Sequence, residues 1–171
     1  MESGDFKIFD DTITGFGCRL IPSDESQAEF VVALRNKPEN RRWFINQSIL
    51  SQATHLAWLA NARAKGNDFN WIIELSDGEP VGTISLYNID WSAGAAELGR
   101  LLIAEPWRGR GVAFSASRLV IDRAASAGIT RIDLVVKPSN CSAIRLYKRL
   151  GFIVADTDEE IITMVKMTPS A

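Results

Sequence analysis

The sequence predicts a mixed α/β domain built on one twisted, mostly antiparallel sheet with helices on both faces. Three observations predict it. The chain has 171 residues, 46% of them hydrophobic, which suits one domain with a substantial core. A β-rich meander fills the middle of the chain, punctuated by the turn clusters Ser76-Asp77-Gly78-Glu79-Pro80 and Ser92-Ala93-Gly94. A strand, a long amphipathic helix and a second strand then follow without interruption, the pattern of a parallel crossover. No linker, repeat or low-complexity tract divides the chain, so residues 1–171 read as a single domain.

Each element has a local reason. Residues 13–21 read as a strand. Pro22-Ser23 opens a helix with Ser23 as its cap, running to 34, and Asn36-Lys37-Pro38 breaks it. A short helical piece covers 39–44. Ser51 caps the next helix, which stops at Lys65-Gly66. Strands over 70–75, 81–89 and 95–103 form the meander. The helix over 111–127 carries Phe114, Leu119, Val120 and Ile121 at apolar positions and ends at Gly128. Residues 132–136 are short and mostly apolar, as in a strand buried on both faces. A helix over 142–150 ends at Gly151, and strands over 152–155 and 161–167 close the chain.

Composition excludes several classes. Charged residues make up 23% and mean hydropathy is zero, so neither a disordered tail nor a membrane protein fits. No apolar run approaches the ~18–20 residues of a membrane span. Residues 1–5 (Met-Glu-Ser-Gly-Asp) are polar and acidic, unlike a signal peptide, and a soluble cytoplasmic protein is expected. Two cysteines, Cys18 and Cys141, lie far apart, are expected to be reduced, and accompany a single histidine, so no metal site is expected. His55 is the one imidazole available to a hydrolase triad. The net charge of −2 argues against a nucleic-acid partner. Residues 100–152 nevertheless hold 10 Lys/Arg against 3 Asp/Glu. That surplus is either a solvated helix face or the seat of a small polyanion.

The chemistry centres on Leu101-Leu102-Ile103-Ala104-Glu105-Pro106-Trp107-Arg108-Gly109-Arg110-Gly111-Val112-Ala113. A strand ends, two glycines follow, and a helix begins. Glycines let the backbone approach a ligand, and successive N–H groups at a helix start bind phosphate. No Gly-Lys-Ser/Thr follows, so this is not a Walker loop, and the third glycine of a dinucleotide fingerprint is missing.

Arg108-x-x-Gly111-x-Ala113 resembles the Arg/Gln-x-x-Gly-x-Gly/Ala signature of the GNAT acetyltransferases. Asn140-x-Ser142-Ala143-x-x-x-Tyr147-x-x-Leu150-Gly151-Phe152 resembles the second signature of that family, and the element order agrees from about Arg19 to Met167. The resemblance implies a GNAT-like fold with a central splayed parallel strand pair. It implies acetyl-CoA as co-substrate, with Arg108, Gly109, Arg110, Gly111, Val112 and Ala113 around its pyrophosphate. Backbone groups of Leu101, Leu102 and Ile103 would hold the pantetheine and polarise the thioester, and Asn140 and Ala143 would touch the cofactor arm. It implies that Tyr147 protonates the departing thiolate; otherwise Tyr147 is a packing residue and Asn140 a cap. Glu97, a carboxylate inside a strand, is the candidate base, directly or through water, or else the partner of an arginine. Cys141 is given a structural role.

The segment Arg35-Asn36-x-Pro38-Glu39-x-Arg41-Arg42-Trp43, then His55-Leu56-x-Trp58-Leu59 and Val81-Gly82-x-Ile84-x-Leu86-x-Asn88-Ile89, resembles one GNAT branch. That branch holds ribosomal-protein alanine acetyltransferases and the nucleotide-aminosugar acetyltransferases of pseudaminic acid biosynthesis, the latter the nearer match. It implies a small-molecule amine acceptor, a nucleotide-linked aminosugar, met by Arg35, Trp43, His55, Tyr87 and Asn88; otherwise His55 is a helix histidine satisfied within the protein. The segment Trp91-Ser92-Ala93-Gly94 and the strand at Arg100-Leu101-Leu102 depart from that branch. A peptide N-terminal acetyltransferase and a non-catalytic CoA-binding sensor are the other readings. An exposed strand edge leads us to expect a homodimer.

Overall fold

The computed structural model describes residues 9–169; the acidic stretch at 1–5 lies outside them. An eight-stranded sheet runs in the order β1-β2-β3-β4-β5-β6-β8-β7. Its strands are β1 (Ile13–Gly15), β2 (Cys18–Pro22), β3 (Phe69–Leu75), β4 (Pro80–Asp90), β5 (Ala95–Ile103), β6 (Arg131–Val136), β7 (Ile153–Thr157) and β8 (Ile162–Met167). The helices are α1 (Ala28–Asn36), α2 (Pro38–Arg41), α3 (Gln52–Lys65), α4 (Val112–Ser126) and α5 (Cys141–Arg149). Every strand pairing is antiparallel except β5 with β6, the pair joined by α4.

Helices cover both faces of the sheet. The main buried cluster joins Trp71 and Ile73 of β3 to Ala116, Leu119 and Val120 of α4. Ile72 alternates to the opposite face and is buried outside that cluster, as are Ala28 and Leu34 of α1 and Leu59 and Ala62 of α3. Ser51 caps α3 by accepting from the Thr54 N–H, and Gly66 ends it in the left-handed region.

Four sequence expectations are corrected. Residues 13–21 are a hairpin rather than one strand. Phe16 and Gly17, with φ of 50° and 78°, form the two-residue turn between Gly15 and Cys18. Asp24, not Ser23, caps the next turn: it accepts from Ser26 N–H while Gln27 reaches back to the Asp24 N–H, and α1 itself begins only at Ala28. The expected piece at 39–44 is the single turn Pro38–Arg41, with proline at its start. Strand β6 is buried through Ile132, Leu134 and Val136, but Val135 is 41% exposed, because the strand beside it diverges.

That divergence is the feature that positions the site. β5 pairs β6 only from Ala95↔Arg131 to Glu97↔Asp133; β5 then runs on to Ile103 and β6 to Val136 without partners in each other. At the far end of the sheet, all five residues of β7 are exposed.

Candidate active site

The splay opens a cavity of about 880 Å³ between β5 and β6. The loop after β5 forms its rim. Gly109 and Gly111 have φ of 73° and 83°, and a Cβ at either would meet only open space. An L-residue would be strained there, so glycine is required by backbone conformation and not by crowding. Gly111 is the cap of α4, and no oxygen of the described residues accepts from the N–H groups of Gly109, Arg110, Gly111, Val112 or Ala113. These donors, at the positive end of a 15-residue helix, fit a diphosphate.

Leu101, Leu102 and Ile103 line the wall beneath this rim, with Val135 and Val136 of β6 opposite. Tyr147 projects from α5 into the same cavity; it is 7% exposed and packs edge-on against Phe152 at 5.8 Å. Burial, and secondarily Tyr87, pushes its phenol above the ordinary range, so the hydroxyl keeps its proton. Asn140 caps α5 by accepting from Ala143 N–H at 3.2 Å and also lines the cavity with Ala143. Arg108 is committed to the protein: Nε donates to the Ile103 carbonyl and Nη2 to Asn40 Oδ1.

The α1–α2 side of the cavity carries Arg35, Arg42 and Trp43, and β4 contributes Tyr87. Arg35 lies over the Phe44 ring at 3.5 Å and donates through Nη2 to the Asn46 carbonyl, while its buried Nη1 has no hydrogen-bond partner. Burial, and then Arg41, lowers its pKa. Lys137 also lines the cavity and donates to the Arg42 carbonyl at 2.8 Å. Among the described residues, no aspartate or glutamate lines the cavity.

Some expected site residues are not brought to the cavity wall. His55 is buried and stacked on Trp58 at 5.7 Å. Asn88 turns away and donates to Glu97 Oε1 at 2.9 Å. Glu97 itself does not line the cavity and forms no ion pair among the described residues; Tyr87, its cross-strand partner, does line it. The Tyr87 hydroxyl is raised to about 12, chiefly by burial and then by Glu97. Arg110 packs on Trp107 at 4.9 Å outside the lining. Cys141 is exposed at the start of α5 and Cys18 is buried, both as free thiols. Arg42, Arg100 and Lys137 were missed as site residues. Only the positive surplus of 100–152 pointed toward the last two.

A helix start with unpaired N–H groups, a splayed strand pair and a buried tyrosine lining the cavity between them are the geometry of the site. Residues 18–153 match the acetyltransferase (GNAT) domain, and the chain belongs to that family. It is 33% identical over 107 residues to an uncharacterized N-acetyltransferase p20 of Bacillus licheniformis, covering 60% of this chain and 59% of the relative. It is 32% identical over 79 residues to the spermidine N(1)-acetyltransferase of Escherichia coli strain K12, covering 46% and 42%. The chain thus spans about half the length of these curated relatives. Among solved structures, the fold matches Vibrio cholerae spermidine N-acetyltransferase in complex with CoA and spermine, with a TM-score of 0.81 at 17% identity over 90% of this chain and 96% of that one. It also matches FdhC, a nucleotide-linked sugar GNAT, with a TM-score of 0.80 at 21% identity over 92% and 90%.

Among the described residues, no helix is long and apolar enough to cross a membrane, and no group of three or more His, Cys, Asp or Glu could hold a metal.

Proposed function

We propose that this chain is an acetyl-CoA-dependent N-acetyltransferase that acts in the cytoplasm on a small-molecule primary amine by direct transfer in a ternary complex. The acceptor is the 4-amino group of a nucleotide-linked deoxy-aminosugar. One observation carries the choice of acceptor: among the described residues, the cavity is lined by several arginines and by no aspartate or glutamate, and a buried guanidinium nitrogen of Arg35 has no acceptor. Such a wall suits the diphosphate of a nucleotide sugar. It repels a polyamine, which needs carboxylates.

The residues divide the chemistry. The N–H groups of 109–113 seat the diphosphate of acetyl-CoA. The unpaired edge of Leu101, Leu102 and Ile103 holds the pantetheine and donates to the thioester carbonyl as it becomes an oxyanion. The amine attacks, the carbon–sulfur bond breaks, and Tyr147 passes its proton to the thiolate. Glu97 takes the amine proton; it meets the cavity through Tyr87, whose hydroxyl faces it. The exposed edge at β7 is where a second copy would pair in a homodimer.

The test is thiol release from acetyl-CoA with a UDP-linked 4-amino-deoxysugar, spermidine and N-terminal peptides side by side. Release with the nucleotide sugar is expected. Release only with peptides or only with spermidine would overturn this acceptor. Protection by CoA against heat with no turnover on any amine would make the chain a sensor.

A further inference from the structure

Among the described residues, Arg100 is the cavity-lining cation that forms an ion pair with a carboxylate. It sits where β4 and β5 fall out of register. Thr83 pairs with Leu102 and Ser85 with Gly99, so one extra residue bulges from β5, and Arg100 occupies the bulge with φ of 50°. A non-glycine residue in that region costs about 1–2 kcal/mol and persists only where its surroundings hold it.

The surroundings do hold it, from three elements or their flanks. Asp68 accepts both ends of the guanidinium, at 2.6 and 3.1 Å, and Asn70 accepts at 3.0 Å. The guanidinium lies 4.8 Å from the Trp58 ring of α3 and 4.0 Å from the Tyr87 ring of β4. Thr83 donates to the Arg100 carbonyl at 2.9 Å. The Tyr87 hydroxyl lies so close to Gly99 that a Cβ there would meet it at 2.8 Å. Past this point β5 no longer pairs with β6, and the next three residues are Leu101, Leu102 and Ile103.

We infer that Arg100 is a positioning residue: clamped by Asp68 between Trp58 and Tyr87, it fixes the bulge that aims the Leu101–Ile103 backbone at the thioester. The inference rests on the acetyl-transfer reading. It differs from a role for Arg100 in binding an anionic acceptor. For a positioning residue, Asp68→Asn and Arg100→Lys act alike and lower turnover. For an anion-binding residue, Asp68→Asn frees the guanidinium and tightens the acceptor.

The experiment uses acetyl-CoA labelled with carbon-13 at the thioester carbonyl. Its affinity for the full chain is measured by calorimetry and its carbonyl stretch by isotope-edited infrared spectroscopy. In the wild type the bound stretch is expected to move to lower wavenumber than in free acetyl-CoA. In Asp68→Asn and Arg100→Lys, affinity should stay within about threefold while most of that movement is lost, with turnover down at least ~10-fold, as when an oxyanion donor is misaimed. Folding is checked by circular dichroism, and the two single-group changes are chosen because Arg100→Ala also opens a hole between Trp58 and Tyr87. A full infrared shift in both folded variants would overturn the clamp while leaving acetyl transfer intact. A wild-type chain that does not bind acetyl-CoA would overturn the transfer reading and this one with it. Tighter acceptor binding in Asp68→Asn would also overturn the clamp.

Discussion

Arg108 and Asn40, 68 positions apart, are joined by a 2.6 Å hydrogen bond from guanidinium Nη2 to amide Oδ1. The same arginine donates to the Ile103 carbonyl at 3.0 Å, and Asn40, buried at 3% exposure, donates to the Leu34 carbonyl at 2.7 Å. One side-chain pair therefore ties the glycine loop to the end of β5 and to the α1–α2 turn. Asn40→Ala removes both bonds and leaves the Leu34 carbonyl buried without its donor. We expect a loss of about 1–3 kcal/mol in urea unfolding, with weaker acetyl-CoA binding by calorimetry. Unchanged stability would show that the Arg108–Asn40 pair does not help hold the fold.

Tyr147→Phe keeps the ring and its contact with Phe152 but deletes the proton donor. Turnover should fall roughly 10²–10⁴-fold with CoA affinity nearly intact. Full turnover in this variant would mean that another group protonates the leaving thiolate.

Gly111→Asp places a carboxylate at a cap with φ of 83° and beside the proposed diphosphate seat. Acetyl-CoA binding should be lost through strain and like-charge repulsion. Gly111→Ala carries the strain without the charge and should retain part of the affinity. Equal losses in the two variants would assign the whole effect to backbone conformation.

His55 is held neutral, its pKa lowered by burial. In the unfolded chain it titrates near ~6.5. Below that value the unfolded state takes up a proton that the folded state refuses, so this contribution to stability is full above about pH 6.5 and declines as pH falls. Urea unfolding at about pH 7.5 and 5.5 should show a larger drop for the wild type than for His55→Gln. Equal drops would mean that the imidazole accepts the proton in place.

Much of the candidate site was legible because several of its residues hold backbone geometry that few residue types permit. Gly109 and Gly111 announce left-handed backbone at a helix start, and Asn140 announces the cap that begins α5. Phe16-Gly17 hid a turn inside the segment 13–21, because phenylalanine is not a usual turn residue. The Arg100 bulge was not legible either. It arises from a mismatch between two strands, and its partners Trp58, Asp68 and Tyr87 lie up to 42 positions away in the chain. Glu97 drew notice as a charge inside a strand, but only the β4 register pairs it with Tyr87, which lines the cavity where Glu97 does not.

The short pairing of β5 with β6 has a consequence for deuterium uptake. Beyond Asp133, strand β6 is laddered to β8 on one side only, with Leu134, Val135 and Val136 opposite Met164, Thr163 and Ile162. Successive amides of a strand point to alternate sides, so those aimed at the gap have no carbonyl to shield them while their neighbours do. Exchange along this strand should alternate between fast and slow from one residue to the next, and a molecule wedged into the gap would erase the alternation.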